Sequence, residues 1–309
     1  MDDGIHLIDT GYGDRPAFCA AYLIVDGGRA AFVDCGTNAS TPRLLDALAA
    51  NGLDVGDVDA VVLTHVHLDH AGGAGGLLHA LPNARLVVHP RGAPHMADPA
   101  KLNASARGVY GDAAFARDHG DGLLPVPAAR IDVAGDGFAL AVGGRTLQCI
   151  DAPGHARHHL AVWDEAARAW FTGDVFGISY RELDTTQGAF AIPTSSPVQF
   201  EPQAMQASLR RLLAREPRSA WLTHYGRVDD VQRVGAELIE QVDAMVSLAE
   251  AAEGRGDRHA ALVESLAGYY VERAERHGVA DAARVVPALL AVDIELNAQG
   301  LEVWLDRRH

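Results

Sequence analysis

Residues 58–76 read V-D-A-V-V-L-T-H-V-H-L-D-H-A-G-G-A-G-G. The apolar run A-V-V-L is typical of a buried β-strand, and it leads into three histidines and one aspartate within six residues. Side chains at positions i and i+2 of an extended chain point to the same side, so His65 and His67 can converge on one cation. Asp69 and His70 follow where the backbone is expected to turn into a helix, and they can face a second cation. Because zinc and its first-row neighbours accept imidazole and carboxylate ligands, the stretch is interpreted as a metal-binding loop rather than a solvated turn.

The composition limits what this loop can belong to. The chain has 309 residues, 48% hydrophobic and 22% charged, which is ordinary for a globular protein with a sizeable core. A formal net charge of −15 argues against a nucleic-acid partner, because an acidic surface repels phosphates. The three cysteines, Cys19, Cys35 and Cys149, are too widely spaced for a disulfide framework and fit a reducing compartment. The N-terminus has no signal-peptide pattern and no apolar stretch is long enough to span a membrane, so we expect a cytoplasmic protein with no membrane partner.

The order of strands and helices predicts an α/β (α+β) fold. In the first part of the chain the expected elements are strands over 4–9, 20–25, 30–34, 60–64 and 85–88, with helices over 41–51 and 73–80. Strands and helices alternate here, which favours helices packed on a sheet. Residues 89–128 are interrupted by prolines and glycines, and at most short helices are expected around 99–107 and 112–118. A second β-rich part follows, with strands near 138–142, 145–150, 160–163 and 169–173.

Three further metal-type side chains stand at predicted strand ends. Pro153-Gly154 forces a turn that exposes His155. An aromatic strand ends in F-T-G before Asp174, and another strand leads through A-W-L-T to His224. Asp34 also ends a strand. It can support the metal ligands through hydrogen bonds or cap the helix over 41–51, and both interpretations stay open.

With these motifs in place, the sequence resembles the metallo-β-lactamase-fold hydrolase superfamily, in particular its glyoxalase II-like (hydroxyacylglutathione hydrolase-like) branch. The matching motifs are V-D-C-G at 33–36, T-H-V-H-L-D-H at 64–70, P-G-H at 153–155, T-G-D at 172–174 and T-H-Y-G at 223–226. The resemblance covers about residues 5–226. It implies a four-layer αββα sandwich in which two back-to-back sheets are flanked by helices, with a dinuclear metal site at one edge.

The resemblance also implies a ligand set for two metals. By the family's pattern, the first metal is bound by His65, His67 and His155, the second by Asp69, His70 and His224, and Asp174 bridges both. His159 matches a residue that usually supports the site, while His158 stands where a common form of the motif has glycine. The expected cofactors are two divalent metal ions, with zinc preferred and iron or manganese as alternatives.

Two cations that share a carboxylate lower the pKa of a bridging water and can supply hydroxide near neutral pH. The expected function is therefore a dinuclear metal-dependent hydrolase that uses a metal-bridging hydroxide to cleave a small-molecule ester, thioester or lactone. True β-lactamases of this fold lack the bridging carboxylate, and some carry a cysteine ligand. This chain has Asp174 and no cysteine at a ligand position of the motifs, which argues against antibiotic hydrolysis. The alternatives are a phosphodiesterase, an iron-dependent oxidoreductase, or a metal-stabilised regulatory or binding protein that acts through its C-terminal helices.

Other residues are candidates for catalysis and substrate binding. Asp69 and Asp174 are expected to act at the metals, and Tyr225 can either donate a hydrogen bond to a developing oxyanion or simply pack at its strand end. Residues 175–202 follow Asp174 and form either a substrate pocket or a structural crossover. The side chains proposed for the pocket are Phe176, Tyr180, Arg181, Phe190 and, from the preceding loop region, Tyr110.

The C-terminal region differs in character from the rest. We expect a catalytic domain over 1–226 and a helical extension over 227–309 that serves as a substrate lid or as a contact in a possible homodimer. Apolar residues at three- and four-residue steps predict two or three helices, and Gly300 is expected to end or kink the last. The chain has a single lysine, Lys101, so an anionic substrate group would have to be bound by arginine.

Overall fold

The structure is a computed structural model that describes residues 4–308, apart from the side chains at 109 and 110. Twelve strands form two six-stranded sheets in this part of the chain. The strands of the first sheet are β1 (Ile5–Asp9), β2 (Ala20–Asp26), β3 (Arg29–Val33), β4 (Val58–Val62), β5 (Arg85–Val88) and β6 (Ile131–Val133). Those of the second sheet are β7 (Ala139–Val142), β8 (Arg145–Asp151), β9 (Leu160–Asp164), β10 (Ala169–Phe171), β11 (Ser219–Leu222) and β12 (Gly226–Val228).

Eleven α-helices connect or follow these strands in the described residues. They are α1 (Thr41–Ala50), α2 (Leu68–Ala71), α3 (Ala74–Ala80), α4 (Ala93–Ala97), α5 (Ala100–Tyr110), α6 (Asp112–His119), α7 (Pro202–Leu213), α8 (Val231–Ala252), α9 (Arg258–Arg276), α10 (Ala282–Leu289) and α11 (Ala291–Asp306).

The first sheet begins as an antiparallel meander and continues as parallel strands. β1, β2 and β3 pair antiparallel, and the positive φ angles of Gly27 (56°) and Gly28 (76°) fit the tight turn between β2 and β3. β3 to β6 then pair parallel, so their connections cross over outside the sheet. In the second sheet only β10 and β11 pair parallel.

Three apolar cores separate four layers. One core packs α1 and α3 on the outer face of the first sheet, through residues such as Leu44 and Val61. A second lies between the sheets and joins Val62 to Phe171. A third packs α7 to α11 on the outer face of the second sheet, around Trp170. Val61 and Val62 face opposite cores because neighbouring side chains alternate along a strand. The predicted αββα sandwich with a C-terminal helical region is confirmed.

The structure corrects several details of the sequence prediction. The strand predicted over 60–64 is β4, which begins and ends two residues earlier, because the Thr64 N–H donates to the Asp34 carboxylate at 2.8 Å instead of continuing the strand. β6, β12, α4 and α7 were not predicted. The C-terminal region holds four helices rather than two or three, and Gly300 lies inside α11. Gly300 therefore does not end that helix, and its missing Cβ leaves the space that the Ser195 side chain occupies.

The strand ends that carry the motifs meet at one edge of the sandwich. Asp34 follows β3, the histidine-rich loop follows β4, Asp174 follows β10 and His224 follows β11. Neighbouring parallel strands end at the same side of a sheet. The loops that follow β3 and β4 therefore lie side by side, as do those that follow β10 and β11. Within the described residues, no helix has both the length and the apolar character needed to cross a bilayer.

Candidate metal centre

One group of potential ligands contains three histidines and an aspartate. The Nε2 atoms of His65 and His155 lie 3.0 and 3.1 Å from Nδ1 of His67. Asp174 Oδ2 lies 3.7 Å from His65 Nε2 and 3.4 Å from His155 Nε2. Nitrogens that share a tetrahedral zinc ion at about 2.0 Å lie roughly 3.3 Å apart. The spacing of this first group therefore fits a single cation.

A second group lies beside the first. Asp69 Oδ2 is 3.2 Å from His70 Nε2 and 3.3 Å from His224 Nε2. The carboxylate of Asp174 also faces this group, with Oδ2 at 3.5 Å from His70 Nε2 and Oδ1 at 4.0 Å from His224 Nε2. All seven residues that the motifs predicted as ligands are thus brought together, and Asp174 lies between the two groups.

Asp174 is placed by a glycine and by two hydrogen bonds. Gly173 adopts a positive φ of 52°, and a Cβ there would collide with His159, so the close approach needs glycine. The Asp174 N–H donates to His159 Nε2 at 3.1 Å, and the Thr223 hydroxyl donates to Asp174 Oδ1 at 3.3 Å. His159 therefore supports the backbone of Asp174, while His158 accepts a long 3.5 Å hydrogen bond from the Val66 N–H.

Backbone carbonyl oxygens orient two of the histidine rings through Nδ1, the ring nitrogen that faces away from the other ligands. His155 Nδ1 donates to the Thr194 carbonyl at 3.0 Å, and His224 Nδ1 donates to the Phe18 carbonyl at 2.8 Å. Each bond fixes the ring so that Nε2 points to the other ligands, which is the usual arrangement around metal-binding histidines.

Asp34 orients His65 through a threonine. Its Oδ2 accepts from the Thr64 hydroxyl at 2.8 Å, and that hydroxyl lies 3.1 Å from His65 Nδ1. The same Oδ2 lies 3.9 Å from His70 Nδ1. Of the two interpretations of Asp34, the contacts favour support of the metal loop, since its carboxylate bonds Thr64 rather than the start of α1. Burial raises the pKa of Asp34 to about 6, so it is ionised at neutral pH.

The electrostatics differ between the groups. Burial, followed by the neighbouring imidazoles, lowers the pKa of His65 and His67 well below the ordinary value, and burial also lowers the pKa of His155. For His224, burial opposes protonation, but Cys19 and Asp174 outweigh it and raise the pKa to about 10. His70 behaves similarly, because Asp69 and Asp174 outweigh burial and raise its pKa. The carboxylates of Asp69 and Asp174 have pKa values below their usual range, because the surrounding histidines outweigh the effect of burial.

The buried imidazole of His70 tests whether metals fit this arrangement. Neither of its nitrogens makes a hydrogen bond of good geometry among the described residues, although the side chain is fully buried and Nε2 lies 3.2 Å from Asp69 Oδ2 and 3.5 Å from Asp174 Oδ2. An unpaired buried polar atom is costly, and a cation next to Asp69 and Asp174 would remove that cost. The donor set of imidazole and carboxylate therefore fits divalent transition metals.

The comparison with known proteins now decides the family. The family model described as the metallo-beta-lactamase superfamily matches residues 14–226, more than half of the chain. The chain belongs to the metallo-beta-lactamase superfamily. This confirms the resemblance drawn from the motifs, and with it a metallo-hydrolase fold that binds metal.

Relatives within the superfamily include hydrolases. The chain is 32% identical to the hydroxyacylglutathione hydrolase of Cupriavidus taiwanensis over 222 residues, covering 67% of this chain and 72% of that protein. It is 28% identical to a metallo-beta-lactamase fold-containing protein of Sulfurisphaera tokodaii over 230 residues, covering 73% of this chain and 79% of that protein. The crystal structure of an archaeal metallo-beta-lactamase superfamily protein from Sulfolobus tokodaii has a TM-score of 0.69 at 24% identity, covering 97% of this chain and 98% of that one. That structural likeness supports the fold.

The predicted pocket residues of this superfamily member lie in different environments. Phe176 and Phe190 are buried in the core beneath the second sheet. The Arg181 guanidinium bonds back to the Ser179 carbonyl at 2.7 Å. Tyr225 packs against the core between the sheets, and its role as an oxyanion donor stays a prediction. The predicted pocket side chain of Tyr110 lies outside the described residues.

An aromatic wall beside the second group was not predicted as a unit. The Phe18 ring packs edge-on to His224 at 5.5 Å between centroids and stacks on Tyr180 at 5.3 Å. The Arg15 guanidinium lies over both aromatic rings, at 4.6 and 4.4 Å. The Tyr180 hydroxyl donates to Asp293 Oδ1 of α11 at 3.2 Å. We call Arg15, Phe18, Tyr180 and Asp293 the aromatic wall. Its members come from three separate parts of the chain and carry no motif, so only the fold reveals it.

Proposed function

We propose that the protein is a dinuclear metal-dependent hydrolase of a small-molecule ester, thioester or lactone. The observation that carries the proposal is the position of Asp174, whose carboxylate faces both ligand groups. Asp174 Oδ2 lies within 3.7 Å of nitrogens from three histidines, His65, His70 and His155. A carboxylate in that position is suited to bridging two cations, which argues for two metals rather than one.

When bound, two divalent cations supply an activated water and polarise a carbonyl oxygen. The protein's own residues prepare that site. Asp69 and Asp174 stay ionised and hold the negative charge that the cations require, while burial keeps the imidazoles of the first group neutral and able to ligate. Zinc suits this mixture of nitrogen and oxygen ligands best, and iron or manganese is the alternative.

The relatives and the aromatic wall support the substrate class. A hydroxyacylglutathione hydrolase, by its name, acts on a thioester-type substrate, and this chain is 32% identical to one such protein over 222 residues. The aromatic wall adds the partly exposed Phe18 ring next to His224 and the Arg15 guanidinium beside that ring, which suits the part of an acyl substrate beyond the scissile carbonyl. An anionic group would be bound by Arg15 rather than by lysine.

We assign the C-terminal helices to substrate enclosure. Asp293 of α11 reaches Tyr180 from the extension predicted over 227–309, so this region contributes directly to the aromatic wall. This supports a lid more than a dimer contact, and the division at 226 and a homodimer both stay predictions.

The test combines elemental analysis with a hydrolase panel. We expect two zinc or comparable ions per chain and cleavage of thioester, ester or lactone model substrates that stops with a chelator and returns with metal. His65→Ala should lose metal and activity, whereas His79→Ala, on the exposed face of α3, should keep both. Protein loaded with two metals that cleaves nothing in a broad panel would remove the support for this function.

A further inference from the structure

The second ligand group contains a side chain that no motif includes. The Cys19 thiol joins Asp69, His70 and His224, and their ligand atoms all lie within 4.8 Å of one another. Cys19 is fully buried and directly precedes β2, so it reaches the group from the first sheet, across from His224.

The backbone around Cys19 is tied to the metal centre. The Phe18 carbonyl accepts the 2.8 Å bond from His224 Nδ1, and the Ala20 N–H donates to the Thr223 carbonyl at 2.8 Å. The Cys19 carbonyl accepts from both the N–H and the hydroxyl of Thr10. The bonds on either side of Cys19 fix its position relative to His224.

The environment of the thiol leaves its sulfur available. Its S–H donates to the Asp69 carbonyl oxygen at 3.4 Å, an ordinary distance for a thiol donor, and the lone pairs of the sulfur are not used in that bond. Across the group, the fully buried His70 Nε2 makes no hydrogen bond of good geometry in the described residues and points at the same space. A fully buried imidazole nitrogen that faces two carboxylates without a hydrogen bond of good geometry indicates that the space beside Cys19 is built for a cation.

The other two cysteines provide a contrast. Cys149 lies in the core between the sheets, where burial raises its pKa to about 12. Cys35 Sγ lies 3.2 Å from the His70 carbonyl oxygen, and burial raises its thiol pKa. Neither belongs to a group of potential ligands among the described residues.

We propose that Cys19 is a sulfur ligand of the second metal. The proposal rests on the proposed dinuclear site. Binding would replace the S–H bond by a sulfur–metal bond and release the proton to solvent. The second site then offers sulfur, nitrogen and oxygen donors, whereas the first offers nitrogen and oxygen only. Because thiolate favours softer cations, the second site should select zinc, cobalt or cadmium over manganese.

Cobalt(II) titration of metal-free protein tests this. We expect a thiolate-to-cobalt charge-transfer absorption in the near ultraviolet that accompanies filling of the second site, with elemental analysis giving two cobalt ions per chain. In Cys19→Ser the absorption should vanish and one cobalt should remain tightly bound. The affinity for the other cobalt should fall by more than about 10- to 100-fold, which is the loss typical of removing a residue that only hydrogen-bonds to a metal ligand. Cys149→Ser should keep the absorption and both ions.

The outcomes separate this inference from the proposed function. Two bound cobalt ions without sulfur absorption in the wild-type protein would overturn the Cys19 assignment and leave a dinuclear hydrolase intact. That measurement needs no variant, so it decides the matter even where Cys19→Ser does not fold. Absorption that survives in Cys19→Ser but disappears in Cys35→Ser would also overturn it. Failure to bind cobalt at all would count against the proposed function itself.

Discussion

The two ligand groups share Asp174 but differ in their charge. The first group is rich in imidazole, and burial lowers the pKa of His65 and His67, so these rings are neutral before any metal arrives. In the second group the nearby acidic groups outweigh burial and raise the pKa of His224 to about 10. A metal can therefore enter the first group without displacing protons, whereas it must displace them from the second. Metal binding to the two groups is therefore expected to depend differently on pH.

Replacing the shared residue should have the largest effect. In Asp174→Ala the carboxylate that faces both groups is removed, so both metals should bind weakly. The rate of hydrolysis should fall by more than about 1,000-fold, which is the loss seen when a single hydrogen-bond donor to a transition state is removed. Elemental analysis and rates on the best panel substrate measure this. Asp46→Asn, on the exposed side of α1, is the control and should change neither. An Asp174→Ala protein that keeps two metals would show that the two groups do not depend on Asp174 as a shared ligand.

Removing one histidine from each group should separate the sites. His155→Ala should lose the metal of the first group and His224→Ala that of the second, each leaving about one ion per chain because the remaining ligands of the other group are intact. We expect activity in both to fall by about 100-fold or more, since one metal cannot both polarise the substrate and activate water. Loss of both ions from either variant would show that the groups bind as one unit.

The motifs predicted the histidine and aspartate members of both groups, but they did not predict the neighbours of the second group, Cys19 and Phe18. The histidine-rich loop and the P-G-H turn carry His65, His67 and His155 in recognisable motifs, and the family resemblance carried by these motifs implied the αββα layers. Cys19 and Phe18 stand in no motif, because their place beside His224 depends on the first sheet packing against the second. The aromatic wall depends on α11 reaching Tyr180 from more than one hundred residues away. Contacts of that range are set by tertiary packing, which local patterns do not encode.

Smaller effects are expected from the residues that support the ligands. Thr64→Val breaks the link from Asp34 to His65 and should weaken the first group about 10- to 100-fold in metal affinity. Asp34→Asn also changes the carboxylate that lies 3.9 Å from His70, so it should weaken both groups. Stepwise metal titration distinguishes the two patterns, with His79→Gln as the control. Equal weakening of both groups by Thr64→Val would contradict the link to His65.

The smallest expected effect is on stability against pH in the metal-free protein. The folded pKa of His224 is raised from 6.5 to about 10, so its stabilising contribution is present below about pH 6.5 and is lost as pH rises toward 10. The first-group histidines have lowered pKa values, so their effect is opposite in sign: stability falls as pH drops below about 6.5, where the unfolded chain takes up protons.

We expect Tm of the metal-free protein to fall between pH 7 and 10 by more than about 2–4 °C, the shift that roughly 1 kcal/mol produces in a large domain. His224→Gln should reduce this loss of stability at alkaline pH, of which His70 supplies the rest, and should leave the loss at acid pH in place, whereas His79→Gln should change neither. Because a bound metal replaces the proton on His224, metal should also raise Tm more at pH 9 than at pH 6. An equal rise at both values would mean that the second group loads without losing protons, and the contrast between the groups would then have to rest on ligand type alone.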